Sequence, residues 1–238
     1  MAYAVTNVSP KTHRLVIVDW HASVLWVAGA ALLGFGASAL FSGVVELSRN
    51  WFLVPYFGIA IPFLYAYFRW SGMDILAALR HRWPLALAVT VVLSTFAVVT
   101  ILNQPASPRH DGIALVGDSL WLGVAYGIVD ALLLTVLPVS AVWLAFSSAC
   151  RTESWAGKMV AGSAAFSASL IVTAAYHAGY AEFRNSELIS PLLGNGMMSL
   201  GYILTANPLT AVITHVVLHV TSVLHGIDST VTLPPHYS

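Results

Sequence analysis

Charge is what this sequence has least of. Only 8% of its 238 residues are charged, while 58% are hydrophobic. A soluble domain carries about 25% charged residues. A soluble globule of this length needs more polar surface than the chain supplies. Intrinsic disorder, collagen-like repeats and disulfide scaffolds are excluded on the same composition. Cysteine is almost absent: Cys150 is the only one, so it has neither an intrachain disulfide partner nor a ligand-spaced neighbour. There is no excess of positive charge, with Lys plus Arg and Asp plus Glu at ten each. No basic face is available for nucleic acid. Residues 1–21 do not read as a secretory signal, because Lys11, Arg14 and Asp19 surround the short apolar run Leu15 to Val18. No lipidation motif is found, with Ala2 after Met1 and a His-Tyr-Ser end.

What is present is a succession of apolar runs, each near the roughly 20 residues that cross a bilayer as a helix. They cover Ala22 to Leu47, Phe52 to Tyr67, Pro84 to Leu102, Ile113 to Phe146, Met159 to Tyr180 and Pro191 to Leu224. The fourth and sixth are too long for one straight crossing. The start of the fourth, with Asp118, reads as a short interfacial helix before a span that begins near Leu120. In the sixth, Asn207-Pro208 falls near the middle, and proline disfavours helical geometry at the residue before it. Two segments follow, 192–205 and 208–224. The expected fold is therefore all-α: a polytopic transmembrane helical bundle of six or seven spans over residues 22–225. A cytoplasmic or interfacial arm covers 1–21 and a polar tail covers 226–238. The partner this implies is the lipid bilayer.

Ionisable residues at membrane depth are expensive and mark function. They are few here: Asp130, His177, His215 and His219. Glu46 and Asp118 fall near span ends, where a solvated helix end accounts for them. His215 and His219 are four apart, so both imidazoles face the same side of a helix. Such a pair either holds one metal ion or hydrogen-bonds to backbone carbonyls. His177 follows Tyr176 and precedes Tyr180, which suits an interfacial aromatic belt. Asp130 falls roughly 15 Å down the fourth span at the helical rise. A lone carboxylate there must pair or be protonated. If the chain turns back at Asn207-Pro208, all four residues reach the same part of the bundle.

The order and type of these residues resemble the CAAX-protease and bacteriocin-processing family of intramembrane peptidases. That family has Glu-Glu-x-x-x-Arg in one helix, Phe-x-x-x-His in the next and a late His-x-x-x-Asn. Here Val129-Asp130 stands in place of Glu-Glu, with no Arg following in the helix. Thr173-Ala-Ala-Tyr-His177 is similar to the second motif. His215 matches the late histidine, and His219 stands where the Asn would be. The resemblance, over roughly 120–225, implies an intramembrane hydrolase acting on a membrane-embedded or prenylated peptide. Asp130 would be the general base, and His177 and His215 the partners that stabilise the oxyanion. With His219 added, Asp130, His177, His215 and His219 make a candidate site for a divalent metal such as zinc. Two other classes stay open: a non-catalytic membrane binding or assembly protein, and a His-based metal or haem carrier that joins His177 to His215.

With seven spans, Lys11, Arg14, Arg69, Arg80, Arg82, Arg151 and Lys158 fall on one side of the membrane, against Arg49, Arg109 and Arg184 on the other. Basic loops stay cytoplasmic. The N-terminal side of the first span is thus expected inside the cell. A periplasmic-active reporter inserted in the loop around Asn185 should be active, and one inserted at Met73 inactive. The reverse pattern would overturn this orientation.

Overall fold

A computed structural model describes residues 20–149, 151–226 and 233. Among them there is no strand, and eight helices account for nearly all of the chain. The N-terminal arm up to residue 19, Cys150 and most of the tail after Gly226 lie outside the described residues.

The helices are α1 (Trp20–Val44, its last turns π-helical), α2 (Arg49–Ser71), α3 (Ile75–Arg80) and α4 (Trp83–Leu102). They continue with α5 (Gly112–Ser148), α6 (Trp155–Ala178), α7 (Ile189–Thr205) and α8 (Leu209–His225). Local chemistry sets their ends. Gly72 takes a left-handed conformation and stops α2. Asp74 accepts from the Ala77 amide at the start of α3, and Ser154 from the Gly157 amide at the start of α6. Pro84 opens α4, where its missing N–H costs nothing.

Six of these helices are long and apolar enough to span a membrane, α7 when taken with the turn before it as Ser186–Thr205, and α8, at 17 residues, is a shorter apolar helix. Large aliphatic and aromatic side chains on the outer faces of α1, α2 and α4 are exposed, among them Leu25, Leu32, Trp51, Ile61, Val92 and Phe96. A surface this apolar is matched to lipid rather than water. The chain is a multi-pass helical membrane protein.

One helix organises the bundle. In its most apolar stretch α5 is 83% buried, against 22–39% for the other five spans. It touches α1 and α2 on one side and α6, α7 and α8 on others, while α4 closes the outside against α7 and α8. The short interfacial helix expected at residues 113–119 is not seen. The chain runs in one continuous helix from Gly112 to Ser148, 37 residues, interrupted only by wide π-helical turns at Ser119–Ala125 and Leu132–Val136. Neither of those stretches contains a breaker able to stop a helix: Pro138 comes only after the second. Asp118, expected at a solvated end, is accordingly buried, with Oδ2 2.6 Å from Nδ1 of His110. The exposed Glu46 is at a helix end as expected, in a left-handed conformation. At the other boundary His21, assigned to the arm, already belongs to α1.

The break at Asn207-Pro208 is present. Ala206 is left-handed, and Asn207 Oδ1 accepts from the Leu209 amide that opens α8. The Asn207 amide nitrogen donates to the carbonyls of Leu79 and His81, tying the turn to the α3–α4 corner. The reversal makes α8 run antiparallel to α5. Their contact is a backbone one. A Cβ on Gly127 would lie 2.9 Å from Val216 Cα, and one on Gly123 would lie 2.7 Å from Val220 Cγ2 and 3.1 Å from its Cα. Gly123-x-x-x-Gly127 thus serves as a small-residue seam of the kind that lets membrane helices approach closely.

Replacing Gly127 by Val should overpack this seam and destabilise the bundle by about 1–3 kcal/mol. Gly58→Ala, on α2 where a Cβ meets nothing within 4 Å, should be neutral or slightly stabilising. Thermal unfolding of the purified protein in lipid nanodiscs measures both, and equal effects would refute the seam.

Candidate functional site

Asp130 lies midway along α5, at the centre of the bundle's most buried helix. It sits in a short α-helical stretch, Tyr126–Ala131, between the two π-helical turns. Such π-insertions are rare and concentrate at functional sites, because they alter which side chains share a face. The Gly123–Gly127 seam brings α8 against this stretch. His219 Nε2 lies 3.6 Å from Asp130 Oδ2, and His215 Nε2 lies 4.0 Å from the same oxygen. All three residues are buried, each 3–4% exposed.

Hydrogen bonding assigns the protons of one imidazole. His215 Nδ1 is 3.0 Å from the Ala211 carbonyl, which only accepts, so Nδ1 carries a hydrogen. In the neutral ring the Nε2 facing Asp130 is then a lone pair. His219 differs: neither of its nitrogens has a hydrogen-bond partner, and neither has Asp130 Oδ1. A carboxylate oxygen and an imidazole lone pair repel unless a proton or a water joins them. The cluster is therefore a set of polar groups whose hydrogen bonds the protein leaves incomplete.

A second polar cluster is treated in the opposite way. Asn195 on α7 accepts from Thr135 at 2.5 Å and donates to Ser169 and Thr173 at 3.0 and 2.6 Å. Ser169 and Ser199 hydroxyls are 2.7 Å apart, and Ser169 donates to the Leu134 carbonyl at 2.6 Å. That carbonyl is one turn before Pro138, which has no N–H to offer it. This network closes α5, α6 and α7 together with its groups paired, as polar atoms in a hydrocarbon interior require.

His177 is elsewhere. Its Nδ1 is 2.9 Å from the Thr173 carbonyl, and its ring meets Tyr176 and Phe183 edge-on at 5.1 Å. Tyr176 and Tyr180 are wholly buried rather than forming the expected interfacial belt. The Tyr180 hydroxyl donates to Tyr176 at 2.7 Å, and the Tyr176 and Tyr126 hydroxyls are 3.0 Å apart. The Tyr126 ring in turn packs on His219 at 4.6 Å. His177 thus packs on the tyrosine layer, which meets His219 through Tyr126. Of the four residues singled out in the sequence, the structure brings three into direct proximity.

Among the described residues, no group of three or more His, Cys, Asp and Glu side chains is arranged to hold a metal ion. The Asp130, His177, His215 and His219 set expected as metal ligands is not among such groups. Sequence reasoning missed Gly123, Gly127 and the buried tyrosines. The four-residue glycine spacing immediately before Asp130 was the signal available. No family model, no curated protein and no solved structure matches this chain.

The two kinds of polar cluster should respond differently to mutation. Asn195→Leu leaves the Thr135 hydroxyl without its partner and takes one bond each from Ser169 and Thr173, and should cost about 2–4 kcal/mol of stability. Asp130→Asn keeps the shape and removes a group with an unpartnered oxygen, so it should leave stability unchanged or raise it. Unfolding midpoints in nanodiscs distinguish them. A strongly destabilised Asp130→Asn protein would make Asp130 a packing residue.

Proposed function

We propose that this membrane protein is an intramembrane hydrolase in which Asp130 activates water against an amide bond of a membrane-embedded or prenylated peptide. The observation that carries the reading is the convergence of Asp130, His215 and His219 at the middle of the bundle with hydrogen-bonding atoms left unpartnered. Burying such groups unpaired costs about 1–3 kcal/mol apiece. A fold that pairs Asn195, Ser169 and Thr173 so fully could pair these too. Leaving them open suits a site that receives a reactant.

The chemistry follows from the proton positions. Asp130 takes a proton from water as the water oxygen bonds to the carbonyl carbon. His215, its Nδ1–H held by the Ala211 carbonyl, presents an acceptor beside the carboxylate and shares that proton. His219, with both nitrogens unengaged by protein, donates to the developing oxyanion. The C–N bond then breaks, and the proton held by Asp130 passes to the leaving nitrogen. The low dielectric of the surroundings strengthens each of these interactions. The similarity to CAAX-type peptidases supports the same assignment of Asp130 and His215. His177, which that similarity also marks, acts here through the tyrosine layer as a positioning residue.

The protein in nanodiscs is expected to release the C-terminal tripeptide from a fluorogenic farnesylated CaaX peptide. Asp130→Asn and His215→Ala should each lower the rate by at least about 100-fold while the proteins stay folded. Hydrolysis that survives Asp130→Asn, or its absence in the parent protein, would overturn the reading.

A further inference from the structure

Tyr56, on α2, was not singled out by sequence. It is fully buried, and its hydroxyl has no hydrogen-bond partner. Its ring packs against Tyr126 at 6.1 Å and Tyr176 at 5.8 Å, and Tyr126 in turn packs on His219 at 4.6 Å. Tyr126 is one helical turn before Asp130 on α5. The neighbouring phenols are bonded: Tyr180 to Tyr176, and Tyr176 to Tyr126. On the far side of the same helix face, Tyr67 meets Ser140 at 2.6 Å. Tyr56 therefore stands apart from the tyrosines around it, and it shares its unpartnered state with Asp130 and His219.

Three unpartnered groups from three helices border the rings of Tyr126 and its neighbours, and their chemistries differ. A neutral phenol is a good donor, an ionised carboxylate only accepts, and an imidazole does either. A group that complements them accepts from the phenol and stands beside a water that donates to the carboxylate. An amide carbonyl under attack by water has this pattern.

We infer that Tyr56 is a third residue of the Asp130 site, whose hydroxyl donates to the carbonyl oxygen of the scissile amide. The inference rests on the water-activating reading above. In the addition step the C=O π electrons move onto the oxygen that Tyr56 and His219 hold. They return as the C–N bond breaks, and the phenol keeps its own proton throughout. The donor is preorganised: Tyr56 is packed on Phe52, Tyr126 and Tyr176 and so has no freedom to turn away.

The test uses the whole protein in lipid nanodiscs, with unfolding temperature and hydrolysis of the farnesylated fluorogenic peptide read on the same samples. Tyr56→Phe removes only the hydroxyl. Its unfolding temperature should match or exceed that of the parent, since no protein hydrogen bond is lost. Its kcat should fall by about 100- to 1,000-fold, as for loss of one oxyanion donor, with KM changed less than about threefold. Tyr126→Phe, which loses a bond to Tyr176, is the comparison and should unfold at lower temperature. A Tyr56→Phe protein that is destabilised as much as Tyr126→Phe, or that retains full kcat, overturns the role of Tyr56 and leaves the Asp130 reading standing. A parent protein that does not hydrolyse the peptide overturns both.

Discussion

The α5–α8 seam is the contact on which the rest depends. Gly123 and Gly127 have no side chains, so the α8 backbone at Val216 and Val220 comes within the distance a Cβ would occupy. In a membrane no hydrophobic force drives helices together, and close backbone packing takes its place. Tyr126 and Asp130 flank this seam on α5, and His215 and His219 flank it on α8. A separation of even 1 Å would dissolve the 3.6 and 4.0 Å approaches to the carboxylate. The reversal at Asn207 is the second requirement, because only an antiparallel α8 pairs residue 216 with residue 127. Asn207 secures that reversal by donating to the carbonyls of Leu79 and His81, so the α3–α4 corner indirectly holds the site in register.

Two polar clusters share one apolar interior and are built on opposite rules. Around Asn195, hydroxyls and carbonyls are paired to saturation, including the Leu134 carbonyl that Pro138 leaves without its helical donor. Around Asp130, the carboxylate, His219 and Tyr56 keep atoms without partners. The first arrangement stabilises the association of α5, α6 and α7. The second costs stability, and the first offsets it within the same helices.

The tyrosine layer gives the site its walls. Tyr56, Tyr126, Tyr176 and Tyr180 are nearly or wholly buried and pack ring against ring between α2, α5 and α6. Large rigid rings fill volume at low entropic cost, and their hydroxyls bring polarity to an otherwise apolar core. His177 packs edge-on against Tyr176 in the same layer.

The sequence by itself determined the class of the protein. Apolar runs of bilayer length can bury their backbone polar groups in lipid only as helices, so the six or seven helices followed from composition and spacing. The break at Asn207-Pro208 was equally local, since proline constrains the residue before it whatever surrounds it. The four-residue spacing of His215 and His219 fixed their common face for the same reason. Local information was not enough elsewhere. The start of α5 looked like a separate helix because its length exceeds a membrane crossing, yet no residue there can stop a helix. Tyr176 and Tyr180 looked interfacial because aromatic residues near a span end usually are, and only packing against α2 and α5 buried them. Only the tertiary structure decided that Asp130 meets His215 and His219 within 4.0 Å while His177 packs on the tyrosines. Those approaches depend on how closely α5 and α8 pack and on the phase shift of two π-helical turns, and neither quantity is a property of any one segment.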